Sequence, residues 1–196
     1  MTKIMKPKLS LILGILGMLL CIYSNLLTSG SLLQKTNYFI SSSLLMSAAL
    51  LERQMFFIIL QIVILGGTIA AFMPFGPGIK AILPIALSIA GLSYLVKLGS
   101  LKEFYAIAGC IGLVLLAAGY AVSNPFIYFF GGLLLSYYSF VSYHRGVSIA
   151  LLWAILNAFF TVTAAIGIYH LLSSGDYIYF KAVLDCHGPQ RTRASQ

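Results

Sequence analysis

MFFIILQIVILGGTIAAFM, residues 55–73, decides the fold of this chain, because it contains no charged residue and a single carboxamide, Gln61. About 20 mostly apolar residues are enough for a helix to cross the hydrocarbon core of a membrane. The whole sequence has the same character: of 196 residues, 60% are hydrophobic and 8% are charged. A soluble domain of this composition would expose large apolar patches, so the bilayer is its expected solvent.

Six further segments share this apolar character. Backbone polar groups inside the hydrocarbon must be satisfied within the chain, so such runs predict helices, and they lack the alternation of barrel strands. The shortest is the serine-rich segment 37–51. We therefore predict an all-α, polytopic membrane protein with seven transmembrane helices, at about residues 9–28, 37–51, 55–73, 80–96, 104–122, 125–142 and 147–172.

The net charge of +8 indicates membrane topology rather than nucleic-acid binding, because the basic residues lie between apolar segments. If the N-terminus is cytoplasmic, the short exterior turns contain only Lys35 and Lys80. The interior ends then contain Lys3, Lys6, Lys8, Arg53, Lys97, Lys102 and Arg145. We expect an integral protein of the bacterial inner (cytoplasmic) membrane with a cytoplasmic N-terminus, surrounded by lipid and without a nucleic-acid partner.

Two pairs of residues repeat at a spacing of 96: Phe57 with Gln61, and Trp153 with Asn157. In each pair the ring lies one helical turn before the carboxamide, so both side chains share a helix face. The first and fifth helices match at an offset of 95, through Gly14 and Gly17 with Gly109 and Gly112. These matches predict an internal repeat of three helices.

This repeat predicts a 3+1+3 arrangement. Residues 1–78 form an N-terminal three-helix repeat, 79–100 a linker helix, 101–173 a C-terminal three-helix repeat, and 174–196 a polar C-terminal tail. Two units of three helices joined by one spanning helix have the same orientation in the membrane. They are therefore parallel repeats, related by an axis along the membrane normal.

Over about residues 9–172, the chain resembles the SWEET, SemiSWEET and PQ-loop superfamily, including the Pnu-type vitamin transporters and small uncharacterised bacterial relatives. The resemblance rests on helix number, repeat offset and amide position. It implies a central substrate site to which the third helix of each repeat contributes an amide, here Gln61 and Asn157, beside Phe57 and Trp153. The chain departs from these families in having no Pro-Gln dipeptide and no proline in the first or fifth predicted helix.

Carboxylates are scarce, and none falls at the middle of a predicted span: the four are Glu52, Glu103, Asp176 and Asp185. Proton-coupled pumps and intramembrane hydrolases generally need ionisable groups at depth. We find no catalytic serine elbow, phosphate loop or HExxH motif. Three adjacent residues of the tail, Asp185, Cys186 and His187, are poorly arranged to surround one ion. We therefore expect no enzyme, no catalytic residue, no metal site and no cofactor.

The candidate substrate-binding residues are Gln61, Asn157, Trp153, Phe57 and Thr161. The amides offer hydrogen-bond donors and acceptors, and Thr161 extends the same stripe by one turn. A lone tryptophan in a membrane protein commonly lies at the interface with its N–H exposed to water, so Trp153 is expected to connect the interface with the pocket. The amides have an alternative role, as hydrogen bonds that hold helices together.

The first hypothesis is a transporter or facilitator of a small neutral or zwitterionic metabolite, whose assembly into a homo-oligomer the sequence leaves open. The alternative is a non-transporting membrane scaffold or accessory subunit of a membrane complex, in which the amides only join helices. A lipid-modifying enzyme is a weaker third hypothesis, because we find no nucleophile–base pair.

Overall fold

The computed structural model of this protein describes residues 5–27, 31–100, 103–122 and 124–173. These residues form seven α-helices: α1 (Met5–Leu26), α2 (Leu32–Leu51), α3 (Met55–Phe72), α4 (Pro77–Lys97), α5 (Phe104–Val122), α6 (Pro125–His144) and α7 (Ala150–Ser173). The predictions of an all-α fold and of seven helices are confirmed. The predicted tail 174–196, Lys3, Lys102 and the side chain of Lys6 lie outside what the structure describes.

Five of the helices are long and apolar enough to cross a membrane, by length and composition: α1, α3, α4, α6 and α7. Many of their large apolar side chains are exposed on the outside of the bundle, for example Ile12 on α1 and Ile82 and Ile89 on α4. The described part of α5 contributes a shorter apolar stretch, Phe104–Gly119. Such helices are compatible with an integral membrane protein, whose apolar surface faces lipid.

Helix α2 begins earlier than the sequence predicts, at Leu32 instead of residue 37. The side chain of Ser31 caps it by accepting a hydrogen bond of 3.2 Å from the Gln34 N–H. Further along, Ser43 and Ser47 donate to the carbonyls of Phe39 and Ser43, at 2.8 and 2.9 Å. Because these hydroxyls bond to the helix's own backbone, a serine-rich segment forms a regular helix.

Each helix packs against the next one in the chain, and α4 therefore contacts both α3 and α5. Two further contacts join distant parts of the sequence, α1 with α7 and α3 with α5. One core runs through the bundle, and its largest fully buried side chains include Leu45, Phe57, Leu113, Leu135 and Trp153. We name the two ends of the bundle as follows. The cavity end is the one at which α1, α3, α5 and α7 end. The opposite end is the one at which α2, α4 and α6 end.

The glycines that match in the sequence repeat lie at helix contacts. A Cβ added to Gly17 would come within 3.0 Å of the Ser41 carbonyl oxygen on α2, and one added to Gly112 within 3.0 Å of the Leu135 nitrogen on α6. Both glycines therefore allow a helix to approach the backbone of its successor. The structure therefore gives these glycines a role in the close packing of helices.

At the opposite end, α2, α4 and α6 all terminate in the same way. In each case the residue after the C-cap has a positive φ: 55° at Arg53, 67° at Gly99 and 95° at Gly146. The next N–H bonds to the carbonyl five residues earlier, as in Gln54 to Ala49 and Val147 to Ser142. These are Schellman motifs, in which glycine is the usual residue at the positive φ. Arg53 is the exception.

Arg53→Gly is expected to raise the free energy of unfolding by about 1 kcal/mol, because a side chain at positive φ is strained and glycine is not. The converse change, Gly146→Ala, should lower it by about 1 kcal/mol, since φ is 95° there and no atom lies within 4 Å of the added Cβ. Both are measured by thermal unfolding in detergent micelles followed by circular dichroism. Arg53→Gln controls for the lost charge, because it removes the cation and keeps a side chain that is strained at positive φ. Equal stabilities of wild type and Arg53→Gly would contradict the strain.

Candidate functional site

The aromatic members of the two repeated pairs meet at the centre of the bundle. The rings of Phe57 and Trp153 stack with centroids 4.5 Å apart and planes at 25°. They are 1% and 0% exposed, respectively. Stacked aromatic side chains are stabilised by burial and by their quadrupoles. A spacing of 96 residues in the sequence therefore becomes a direct contact between α3 and α7.

Trp153 is not at a water-exposed position, so the expectation of a wet indole N–H is wrong. Its Nε1 is buried and has no hydrogen-bond partner among the described residues. The ring is covered because it inserts between helices, where Phe57 supplies one face of its contact. The side chain contributes packing in the core, and it does not connect an interface with a pocket.

Further rings continue this stack towards the opposite end. Tyr138 on α6 lies 3.9 Å from Phe56 and 5.7 Å from Phe57, measured between ring centroids. Tyr105 on α5 stacks on Tyr138 at 5.6 Å. We call the set the aromatic column: Trp153, Phe57, Phe56, Tyr138 and Tyr105. It draws residues from α3, α5, α6 and α7 and fills the space between them.

An ion pair covers the outer end of the aromatic column. The Arg145 guanidinium lies 4.4 Å above the Tyr105 ring and pairs with the Glu103 carboxylate. Both charged side chains are 49% exposed. By donating a hydrogen bond, Arg145 lowers the pKa of Glu103 and keeps the carboxylate ionised. The column therefore extends from the buried core to a charged cap at the opposite end.

A cavity of about 690 Å³ occupies the cavity end of the bundle, and residues from all seven helices line it. Its wall is mainly apolar, with side chains such as Leu45, Leu116 and Phe160. Polar residues gather where the helices end or begin, among them Asn25, Gln34, Lys35, Lys80 and Asn124. Ligand sites in proteins commonly have volumes of about 300–1,000 Å³ and a similar mixture of surfaces.

Gln61 borders this cavity from the interior of α3. Neighbouring side chains cover it completely, with 0% exposed. Neither Oε1 nor Nε2 of its amide has a hydrogen-bond partner among the described residues. Burying an unpaired polar group costs roughly 1–3 kcal/mol. A group with this cost beside a cavity is a candidate for binding a ligand, which would reach the amide once the side chains that cover it move aside.

The side chains of Asn157 and Thr161 form hydrogen bonds within their own helix, α7. Asn157 is 3% exposed, and its Nδ2 donates to the Trp153 carbonyl at 2.9 Å, within its own helix. Thr161 donates to the Asn157 carbonyl at 2.8 Å, and its Oγ1 lies against Gly132 of α6. Neither is among the residues that line the cavity. The structure therefore brings the two rings together but places only one of the two amides beside the cavity.

From the sequence, Lys35 and Lys80 are interpreted only as topology signals, yet both line the cavity. The sequence did not identify Tyr105 and Tyr138 as partners of the repeated rings. Their spacing shows no periodicity that would connect them with Phe57 or Trp153, because the contact depends on how α5 and α6 pack.

Within the described ranges, no group of three His, Cys, Asp or Glu side chains could hold a metal ion. The triplet 185–187 lies outside those ranges.

Fold and site together define a seven-helix bundle with a cavity at one end and an aromatic column beneath it, in a chain whose helices are compatible with a membrane. The sequence matches no protein-family model, no curated protein and no solved structure.

Proposed function

We propose that this protein is a multi-pass membrane transporter or facilitator, and that the cavity is the chamber for a small metabolite. One observation carries the proposal: a cavity lined by all seven helices borders a buried amide with no partner of its own. Its volume of about 690 Å³ suits a small organic solute. Sites of this kind in transporters lie between repeats, near the middle of the membrane.

Equivalent contacts support a two-fold arrangement of repeats, with α4 as the linker. The first helix of each unit contacts the third helix of the other, α1 with α7 and α5 with α3. At these contacts, a Cβ on Gly14 would lie 2.4 Å from Leu152 Cδ1, and one on Gly109 would lie 3.0 Å from Phe56 Cζ. Gly109 follows Gly14 by 95 positions and Leu152 follows Phe56 by 96. The stack of Phe57 on Trp153 then lies on the proposed axis.

The aromatic column supports a mechanism of alternating access. It fills the space between the units on the side away from the cavity, and in the proposed mechanism it closes the chamber at that end. Rocking of one unit against the other about Phe57 and Trp153 would separate the column and close the cavity. No Asp or Glu is among the described residues that line the cavity. We therefore propose passive facilitation without proton coupling.

The scaffold hypothesis draws its support from amides that join helices. Gln61 makes no hydrogen bond among the described residues, and the hydrogen bond from Asn157 to the Trp153 carbonyl stays within α7. A residue that served only to hold helices together would use its donors on a neighbouring helix. The transporter hypothesis accounts better for an amide left unpaired beside a cavity.

Gln61→Leu is expected to abolish solute passage and to raise the free energy of unfolding by about 1–2 kcal/mol. It removes two unpaired buried polar atoms and loses no bond within the described residues. Passage is measured by osmotic swelling of proteoliposomes in a panel of sugars, nucleosides, amino acids and monocarboxylates. Stability is measured by thermal unfolding of the same preparation.

Gln54→Leu is the matched control, because Gln54 precedes the first turn of α3 at the opposite end. It should leave passage unchanged. If Gln61→Leu lowers stability, Gln61 joins helices and the scaffold hypothesis gains. If no solute enters faster than into protein-free liposomes, the transporter proposal is wrong.

A further inference from the structure

We propose that the cavity binds a small organic anion, with Lys35 and Lys80 holding its carboxylate or phosphate group and the apolar wall holding its body. This inference rests on the proposed function and narrows its substrate class. The sequence alone favours a neutral or zwitterionic solute, because it places no charge at the middle of a predicted span. The structure changes that expectation by placing both lysines on the cavity.

Lys35 and Lys80 lie at positions where a cation lowers the stability of its own helix. Lys35 lies in the first turn of α2 and Lys80 in the first turn of α4, and neither turn contains an acidic residue. The N-terminal end of a helix carries a partial positive charge, so a cation there costs about 0.3–1 kcal/mol. By contrast, Lys97 and His144 lie in the last turns of α4 and α6, where a cation is favoured.

The same arrangement is favourable for an anion. The N-termini of α2, α4 and α6 all border the cavity, through Lys35, Lys80 and Pro125. Helix N-termini and lysine ammonium groups both attract carboxylates and phosphates. Among the described residues, neither lysine forms an ion pair, because Arg145 with Glu103 is the one pair found there. Both lysines are half-buried.

The remainder of the cavity indicates what the anion carries. Below the lysines the wall is mainly apolar, which suits an aliphatic or aromatic body. No described Asp or Glu lines the cavity, so an ammonium group on the solute would have no carboxylate partner. Gln61 borders the cavity, and its unpaired amide suits a hydrogen-bonding group on the body of the solute once the side chains that cover it move aside. An organic monoanion satisfies these features better than a zwitterion.

The test compares carboxylates with their neutral amides in the purified full chain, in nanodiscs of phosphatidylcholine. The pairs are butanoate with butanamide, hexanoate with hexanamide, benzoate with benzamide and phenylacetate with phenylacetamide. Binding is followed by the fluorescence of Trp153, the single tryptophan, and by the shift in unfolding temperature. We expect the best carboxylate to bind about tenfold more tightly than its amide, because it adds charge-assisted hydrogen bonds.

The variant Lys35→Gln with Lys80→Gln should bind acid and amide equally. Lys35→Arg with Lys80→Arg should keep the preference, and Lys97→Gln, an exposed cation at the opposite end, should leave it unchanged. Equal binding of acids and amides by the wild type, sensitive to Gln61→Leu, would overturn the anion inference and leave the proposed function in place. Absence of binding by every compound would overturn the anion inference, and the swelling assay would then decide the proposed function separately.

A further arm distinguishes a dissolved anion from a lipid headgroup. The wild type and the double glutamine variant are unfolded in nanodiscs with and without phosphatidylglycerol. If phosphatidylglycerol stabilises the wild type only, and no carboxylate binds, the lysines contact lipid phosphates and the inference is wrong. If carboxylates bind in phosphatidylcholine alone, the anion comes from solution.

Discussion

Gly131→Ala is expected to lower the free energy of unfolding by about 2 kcal/mol. A Cβ at this position of α6 would lie 2.5 Å from the Leu116 nitrogen and 2.9 Å from its Cα, both in the backbone of α5. Overpacking of this kind costs up to about 3 kcal/mol, and the better helix propensity of alanine returns about 1 kcal/mol. A flexible side chain could move aside at little cost, whereas the α5 backbone can move only with its helix.

Three glycines share this contact, and we call them the glycine seam: Gly112 and Gly119 of α5, and Gly131 of α6. A Cβ at Gly119 would lie 2.6 Å from the Tyr128 nitrogen, and one at Gly112 would lie 3.0 Å from the Leu135 nitrogen. Small residues of this kind allow helix backbones to approach closely in a membrane protein. The seam brings the backbones of α5 and α6 together and positions Tyr105 and Tyr138 for their stack.

Gly167→Ala is the matched control for Gly131→Ala. Gly167 is also a helical glycine, but the nearest atom to its added Cβ is Pro125 Cβ at 4.0 Å. Alanine should therefore fit there and raise stability by about 1 kcal/mol through helix propensity. Both variants are compared by thermal unfolding in detergent and by the near-ultraviolet circular dichroism of the aromatic column. Equal stability of the two variants would show that α5 and α6 are not in backbone contact.

Helix number and approximate position follow directly from apolar composition, because the length of a spanning helix is set by the bilayer. The start of α2 is less predictable. Residues 34–36 are all polar and precede the segment that is expected to enter the membrane, yet the Ser31 cap makes them part of the first turns of the helix. A capping hydrogen bond is a local event that composition averaged over 20 residues does not detect.

The candidate site was predictable in part. Period and spacing identified Phe57 and Trp153 as equivalent, and the structure brings their rings into contact. The amides behave differently, although both follow a ring by one turn. Asparagine is one methylene shorter than glutamine, and Nδ2 of Asn157 bonds to the carbonyl of Trp153 in the preceding turn. Gln61 forms no such bond among the described residues.

Which end of the bundle holds the cavity was not predictable at all. It depends on where side chains from separate helices fill the interior. Tyr138 and Tyr105 do so at the opposite end, and among the described residues none fills the cavity that Lys35 and Lys80 line. Lys35 and Lys80 lie at one site because α2 and α4 start at the same cavity. In the sequence they were two isolated cations, which topology alone explains.

Trp153→Ala is expected to produce the largest loss of stability of any single substitution considered, about 3–5 kcal/mol. The side chain is 0% exposed and stacks on Phe57, so truncation removes a large buried surface and leaves a cavity between α3 and α7. Trp153→Phe should cost much less. It retains an aromatic ring against Phe57 and removes the unpaired indole N–H. Unfolding is followed by far-ultraviolet circular dichroism, because the variants contain no tryptophan.

A double-mutant cycle with Phe57→Ala separates the stack from burial in general. If the two rings stabilise one another, the combined loss should be smaller than the sum of the single losses by about 0.5–1.5 kcal/mol. The matched control is the cycle of Trp153 with Tyr128, a ring on α6 that packs on Phe160 and is not part of the aromatic column. In this control cycle, the losses of stability caused by Trp153→Ala and Tyr128→Ala should add. An additive result for Phe57 and Trp153 would mean that α3 and α7 do not meet through these rings, and the proposed axis of alternating access would lose its centre.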